Sequence, residues 1–310
     1  MALSILEMVL PVLLVILLGY FSKCRGWFNE AGLQGIKAVV GKLTLPVVLF
    51  NAFLTADYSG TTLLTFTVVF ISLGLALAAG FWLRRLNPRY GKFMPFLMTG
   101  FEGGMLGYAL FGLLYGASET HVFAMADVGQ TLFAYTVFLS ALKVVNGQKP
   151  SAGAVLKNMV SNPASVGMLL GIALGLLGVG KWVAASAAGP LVSSLISFMT
   201  APTSVLILLV VGYELSFNRS LMKPVLLTAL LRLAVMGTLC CLSAVVVFSI
   251  APFDKRLLVA LMLGFSLPAP FIIPLYADVT GHGEYISTTL SISTLISVAL
   301  FAGIAVYSLA

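Results

Sequence analysis

A chain of 310 residues with 60% hydrophobic and only 9% charged side chains cannot cover a water-facing surface of its own size, because a soluble domain carries roughly a quarter charged residues. The mean hydropathy of +1.09 agrees, which excludes a soluble enzyme and a nucleic-acid binder. The net charge of +7 then reads as a topology signal in membrane loops, where basic residues accumulate on the cytoplasmic side.

About 20 apolar residues cross a hydrocarbon core roughly 30 Å thick. Ten such runs follow one another at 3–22, 34–56, 61–83, 93–116, 119–145, 163–179, 190–215, 224–250, 255–278 and 284–308. The expected fold class is an all-α polytopic membrane protein with ten transmembrane helices. The first run lacks a basic start and a small-residue cleavage site, so it is expected to stay in the mature protein. Lys37 and Lys42 interrupt the second near one end, where long side chains snorkel to the headgroups. Every basic residue from Lys23 to Lys157, together with Arg219 and Lys223, falls in the connections after runs 1, 3, 5 and 7 or beside them. Lys181, Lys255 and Arg256 fall in the alternate connections, and Arg232 alone lies inside a run. This bias predicts a multi-pass cell-membrane protein with both termini extracytoplasmic. Cys24, Cys240 and Cys241 form no CxxC pair and no disulfide framework.

The two halves resemble each other. Thr44-Leu45-Pro46 in run 2 matches Thr200-Ala201-Pro202 in run 7, and Leu97-Met98-Thr99-Gly100-Phe101 in run 4 matches Leu261-Met262-Leu263-Gly264-Phe265 in run 9. Five crossings per copy turn the second copy upside down, the plan of carriers that bind substrate at midplane between broken helices. The expected division is 1–150 for the first five-helix repeat and 151–310 for its inverted partner.

Run 9 carries Leu267-Pro268-Ala269-Pro270 in its middle. Proline removes a donor and disfavours helix at the residue before it, so the helix opens there. Run 4 carries Gly100, Gly103, Gly104 and Gly107 at the corresponding place, and glycine permits non-helical backbone. Gly103 and Gly107 also fit a small-xxx-small packing spacing. Polar backbone at membrane depth must be buried in protein or line a cavity.

These residues resemble the auxin efflux carrier family of bacterial permeases and plant auxin exporters, which includes malonate carriers. The resemblance spans the chain and rests on Leu45-Pro46-Val47-Val48-Leu49-Phe50, Glu102-x-Gly104-x-x-Gly107, Asp127-x-Gly129-Gln130, Asn162-Pro163 with Gly167, and the prolines of run 9. It implies a scaffold bundle and a transport bundle, helices 4 and 9 unwound and crossing at an organic-anion site, and elevator-like alternating access. A homodimer is allowed by the resemblance alone. The chain departs from the family pattern where Glu102 replaces an Asn and Ala109 replaces a Pro. An ionised Glu102 would repel a carboxylate substrate, so either it is protonated or the site holds a cation.

The candidate substrate-binding residues are Glu102, Gly103, Gly104, Gly107, Asn51, Asp127, Gln130, Pro268, Ala269 and Pro270. Asp127, Gln130 and Thr131 share one helix face by spacing, which serves a ligand or a neighbouring helix equally well. Arg232, eight residues past Pro224, is expected to snorkel to the cytoplasmic side, and Asp278 to end helix 9 near the outer surface. Asn162 reads as an N-cap with Pro163 at the first helical position. His121 and His282 are expected in corresponding extracellular turns. The Ser- and Thr-rich run 10 serves a hydrated pathway or interhelical bonding. The lipid bilayer and a small organic anion are the expected partners, with no nucleic acid. No cofactor is expected beyond a coupling proton or sodium ion, and no hydrolase, metalloprotease or nucleotide-binding motif is found. The leading expectation is a secondary carrier of small organic anions, proton-coupled through Glu102. The alternative is a cation-coupled carrier or a carrier of a cationic substrate.

Overall fold

The computed structural model describes residues 2–56, 58–148, 152–273 and 279–309. Helix occupies part or all of each of the ten apolar runs, and no strand occurs among the described residues. Among the described residues six helical stretches are long and apolar enough to cross a membrane. They are α2 (Glu30–Leu54), α3 (Gly60–Leu86), α5 (Ala117–Val145), α7 (Gly189–Glu214), α8 (Arg219–Ile250) and α10 (Gly283–Leu309). A seventh, α6, is bent by 75° between Pro163–Leu176 and Val179–Ala185. The run 1 helix, α1, spans Ala2–Arg25. Runs 4 and 9 are interrupted: α4 consists of Met94–Leu97 and Tyr108–Tyr115, and α9 runs over Lys255–Ser266 before its helix stops. Asp278 and Pro274 lie outside the described residues.

Caps and glycines set the boundaries and the packing. Asn162 accepts the Ala164 N–H at 2.9 Å with Pro163 first in the helix, as its sequence position predicts. On α6, Gly167, Gly171 and Gly175 recur every four residues and press against the α2 backbone. A methyl on Gly171 would lie 2.5 Å from the Phe50 carbonyl oxygen, and one on Gly175 would lie 2.6 Å from that of Phe53. Close backbone approach through small residues is how helices associate where lipid removes the hydrophobic driving force. Gly19 and Gly212 do the same between α1 and α7.

The helices sort into α1, α2, α6 and α7 on one side and α3, α4, α5, α8, α9 and α10 on the other. Within the first group α2 lies along α6 and α1 along α7; within the second, α3 packs on α5 and α8, and α9 on α5, α8 and α10. The molecule's outer face is apolar. Phe198, Ile250 and Leu63 are largely exposed, and so are all three tryptophans, Trp27, Trp82 and Trp182, near helix ends. A soluble monomer avoids so continuous an apolar surface, whereas Trp near helix ends suits a membrane interface.

The connections gather at two ends. At one, Lys23 Nζ donates to Leu215 O at 2.8 Å, Tyr213 Oη to Phe28 O at 3.0 Å and Asn218 Nδ2 to Glu284 Oε2 at 2.6 Å. The His282 ring packs on Tyr90 and Phe93 at this same end. At the other, Arg256 Nη1 pairs with Glu119 Oε2 at 2.7 Å, beside the turn that carries His121. The expectation that His121 and His282 share a side is therefore corrected. The turn before α10 joins the Lys- and Arg-rich connections.

Candidate functional site

In α4 the helix ends after Leu97, and Gly100 turns the chain with φ +71°, a conformation glycine adopts without strain. The chain extends through Phe101 and Glu102 and re-enters helix as a wide π turn over Gly103–Gly107. In α9, Leu267 is extended (φ −66°, ψ 158°), the conformation imposed by the following Pro268. The two breaks touch. Glu102 N–H donates to Pro268 O at 3.0 Å, and Phe271 N–H donates to Glu102 Oε2 at 2.8 Å. A methyl on Gly100 would lie 2.9 Å from Pro270 Cγ, so glycine is needed for this approach.

Arg232 does not snorkel. It is 5% exposed, and its guanidinium donates to Leu97 O (3.2 Å), Gly100 O (2.6 Å) and Leu267 O (2.6 Å). The breaks leave carbonyls without helical partners, and a buried cation satisfies three of them. Counting residues from Pro224 misled because α8 starts earlier, at Arg219, and because both breaks come to meet it.

One wall of a cavity of about 810 Å³ is built from these breaks. Of the residues singled out from sequence, Glu102, Gly103, Gly104, Asp127, Gln130 and Pro270 line it, together with Thr131 and Phe271. The facing wall comes from α2 through Leu45 and Leu49 and from α6 through Ser165 and Met168. Glu102 is 9% exposed, Gln130 4% and Asp127 2%. Thr131 Oγ1 lies 3.4 Å from Asp127 Oδ2, so the shared helix face is real. Gly103 is required here because a methyl would overlap Asp127 Oδ1. The Gln130 side-chain oxygen is buried with no hydrogen-bond partner among the described residues. Such an acceptor is expensive to leave unused.

Four expected residues do not line the cavity. Pro268 and Ala269 stand behind its wall, Pro268 through the carbonyl that takes the Glu102 N–H. Gly107 makes room for the Phe123 ring. Asn51 lies two residues past Leu49, which turns it about 200° around the α2 axis from that lining residue. Three π turns, Val40–Thr44, Gly103–Gly107 and Ala134–Phe138, each contribute lining residues. They were missed because a π turn leaves little mark in sequence; Pro46, which cannot donate to an α-helical carbonyl four residues back, is the one local hint. Among the described residues no group of three or more His, Cys, Asp or Glu is assembled around a metal position.

The model of the family described as membrane transport protein matches residues 4–304. The chain belongs to this family of auxin efflux carrier type. An uncharacterized transporter from Methanothermobacter thermautotrophicus is 26% identical over 299 residues, covering 93% of this chain and 95% of the relative. In this membrane transport protein the cavity mouth is basic and lies at the Lys- and Arg-rich end. Lys42 lines it, and Lys37 is paired with Glu214 there. A half-exposed pair of this kind contributes little stability, so its ordering of the mouth is the more useful effect.

Proposed function

We propose that this membrane transport protein is a secondary carrier of small organic anions, working by elevator-type alternating access with the substrate held at the crossover of α4 and α9. The observation that carries the reading is the meeting of the two breaks in the wall of the cavity, with Glu102, Asp127 and Gln130 at its depth. Two ionised carboxylates would repel an entering anion, so substrate enters with Glu102 or Asp127 protonated, and proton and anion move together. The inverted repeat is supported by helix pairing: shifting every number by five turns the α2–α6 pair into α7–α1, α3–α5 into α8–α10 and α3–α4 into α8–α9. The elevator is supported by the cavity lying between the two helix groups. The basic mouth supports a cell-membrane orientation with this end cytoplasmic and both termini outside.

A second reading has its own observation. Glu102 Oε2 already accepts the Phe271 N–H, so the carrier's own carboxylate sits where an anionic ligand would meet that backbone donor. Glu102 and Asp127 then suit a sodium ion or a cationic substrate. A thermal-shift screen of the purified protein separates the two. Stabilisation by dicarboxylates or aromatic acids that strengthens at acidic pH supports the proton-coupled anion carrier. Stabilisation by sodium or organic ammonium ions, with indifference to the acids, overturns it in favour of the second.

A further inference from the structure

We propose that Arg232 is a positioning residue that pins the broken segments of α4 and α9 to α8, so that the crossover holds its shape and moves as one unit. A single side chain reaches both repeats: Leu97 O and Gly100 O belong to α4, and Leu267 O to α9. The ion pairs among the described residues are Lys37 with Glu214 and Arg256 with Glu119 and Asp254; Arg232 is in none of them. Its hydrogen-bond partners among the described residues are backbone carbonyls, whose dipoles offset its charge. Burying a charge is costly, so apolar packing does not account for an arginine here. The planar fork does, because it presents several N–H donors in fixed directions and stays charged when buried.

The pin rests on a firm helix. On either side of Arg232, α8 is bonded to the rest of its group, through Thr228 with Tyr285 of α10 (2.6 Å) and Ser243 with Ser72 of α3 (2.9 Å). Direct links between the breaks include Glu102 N–H to Pro268 O and Phe271 N–H to Glu102 Oε2. Glu102 and Phe271 line the cavity, where entering water competes for such bonds. Arg232 holds the flanking carbonyls in register so that these two bonds survive. This inference does not depend on which substrate is carried.

Hydrogen exchange of the full chain in lipid nanodiscs tests it, comparing the unaltered protein with Arg232→Gln, Arg232→Lys and, as a control on the same helix, Ser249→Ala, whose hydroxyl bonds the Val246 carbonyl of its own helix. The amides of Glu102 and Phe271 report directly on the links. In Arg232→Gln both exchange about tenfold faster or more, while α3, α8 and α10 keep their protection. Arg232→Lys, which keeps the charge but not the fork, falls between, and Ser249→Ala leaves both amides at the original rate. The proposal is overturned if either amide is unaffected in Arg232→Gln, or if exchange rises equally throughout the helix group. Should Arg232→Gln not yield folded protein, Arg232→Lys decides in the same way. A rise confined to the two amides supports the pin, and original rates or a general rise reject it.

Discussion

Gly103 has no side chain because the Asp127 carboxylate takes that space. Gly103→Ala forces the carboxylate to turn away or the π turn to shift, and overpacking of this kind costs about 1–3 kcal/mol. A lowered thermal unfolding temperature, with the helical circular dichroism of the folded state kept, is the expected result. The same alanine at Gly41, where nothing lies within 4 Å of the added carbon, is expected to leave that temperature unchanged. At this scale the sequence was informative where chemistry is local. The Asp127, Gln130 and Thr131 face follows from helical spacing, and the Asn162 cap follows from the proline after it. Arg232 was illegible because its partners are carbonyls of two segments remote in sequence, freed only when both helices break. Asn51 was misjudged because a polar residue after a proline says nothing about which way its helix is rotated.

The breaks and the glycine stripe are matters of whole elements. Pro268 and Pro270 made the α9 break legible, since the steric rule needs no tertiary contact. The α4 break was less so, because glycine serves packing and unwinding alike, and both uses occur here: Gly100 turns the chain while Gly107 admits Phe123. Replacing Pro268 and Pro270 with alanine removes the obstacle to helix through 267–270. Helical bonding there withdraws the Pro268 carbonyl from Glu102, and the doubly substituted protein is expected to stay folded in detergent while losing transport. On α6, Gly171→Val places a branched side chain against the Phe50 carbonyl. It is expected to separate α6 from α2 and lower the unfolding temperature more than Gly103→Ala, as a melting series read by intrinsic fluorescence will show. The serines and threonines of α10 have mixed uses: Thr289, Ser291 and Thr294 bond carbonyls of their own helix, while Ser297 also reaches Ser266 O at the end of α9.

At the scale of the molecule, hydropathy and basic-residue placement foretold where helices lie, because crossing a bilayer imposes length and charge rules that depend on little else. The grouping of helices was not readable, since it depends on which small residues face which backbone. Orientation is open to direct test. Cys24 is exposed at the Lys- and Arg-rich end, so in a Cys240→Ala, Cys241→Ala background a membrane-impermeant maleimide added to intact cells should leave it unlabelled until the cells are opened. Labelling from outside would reverse the assigned topology.

The most direct test of a transport site at the α4–α9 crossover is uptake of labelled organic acids into proteoliposomes by the unaltered protein and by Glu102→Gln, across a pH range. Glutamine keeps an oxygen for the Phe271 N–H but cannot ionise. If the crossover carboxyl takes the coupling proton, Glu102→Gln remains folded and its transport loses the pH dependence of the parent or stops altogether. Transport by Glu102→Gln at the parent rate and with the parent pH profile would contradict the assignment.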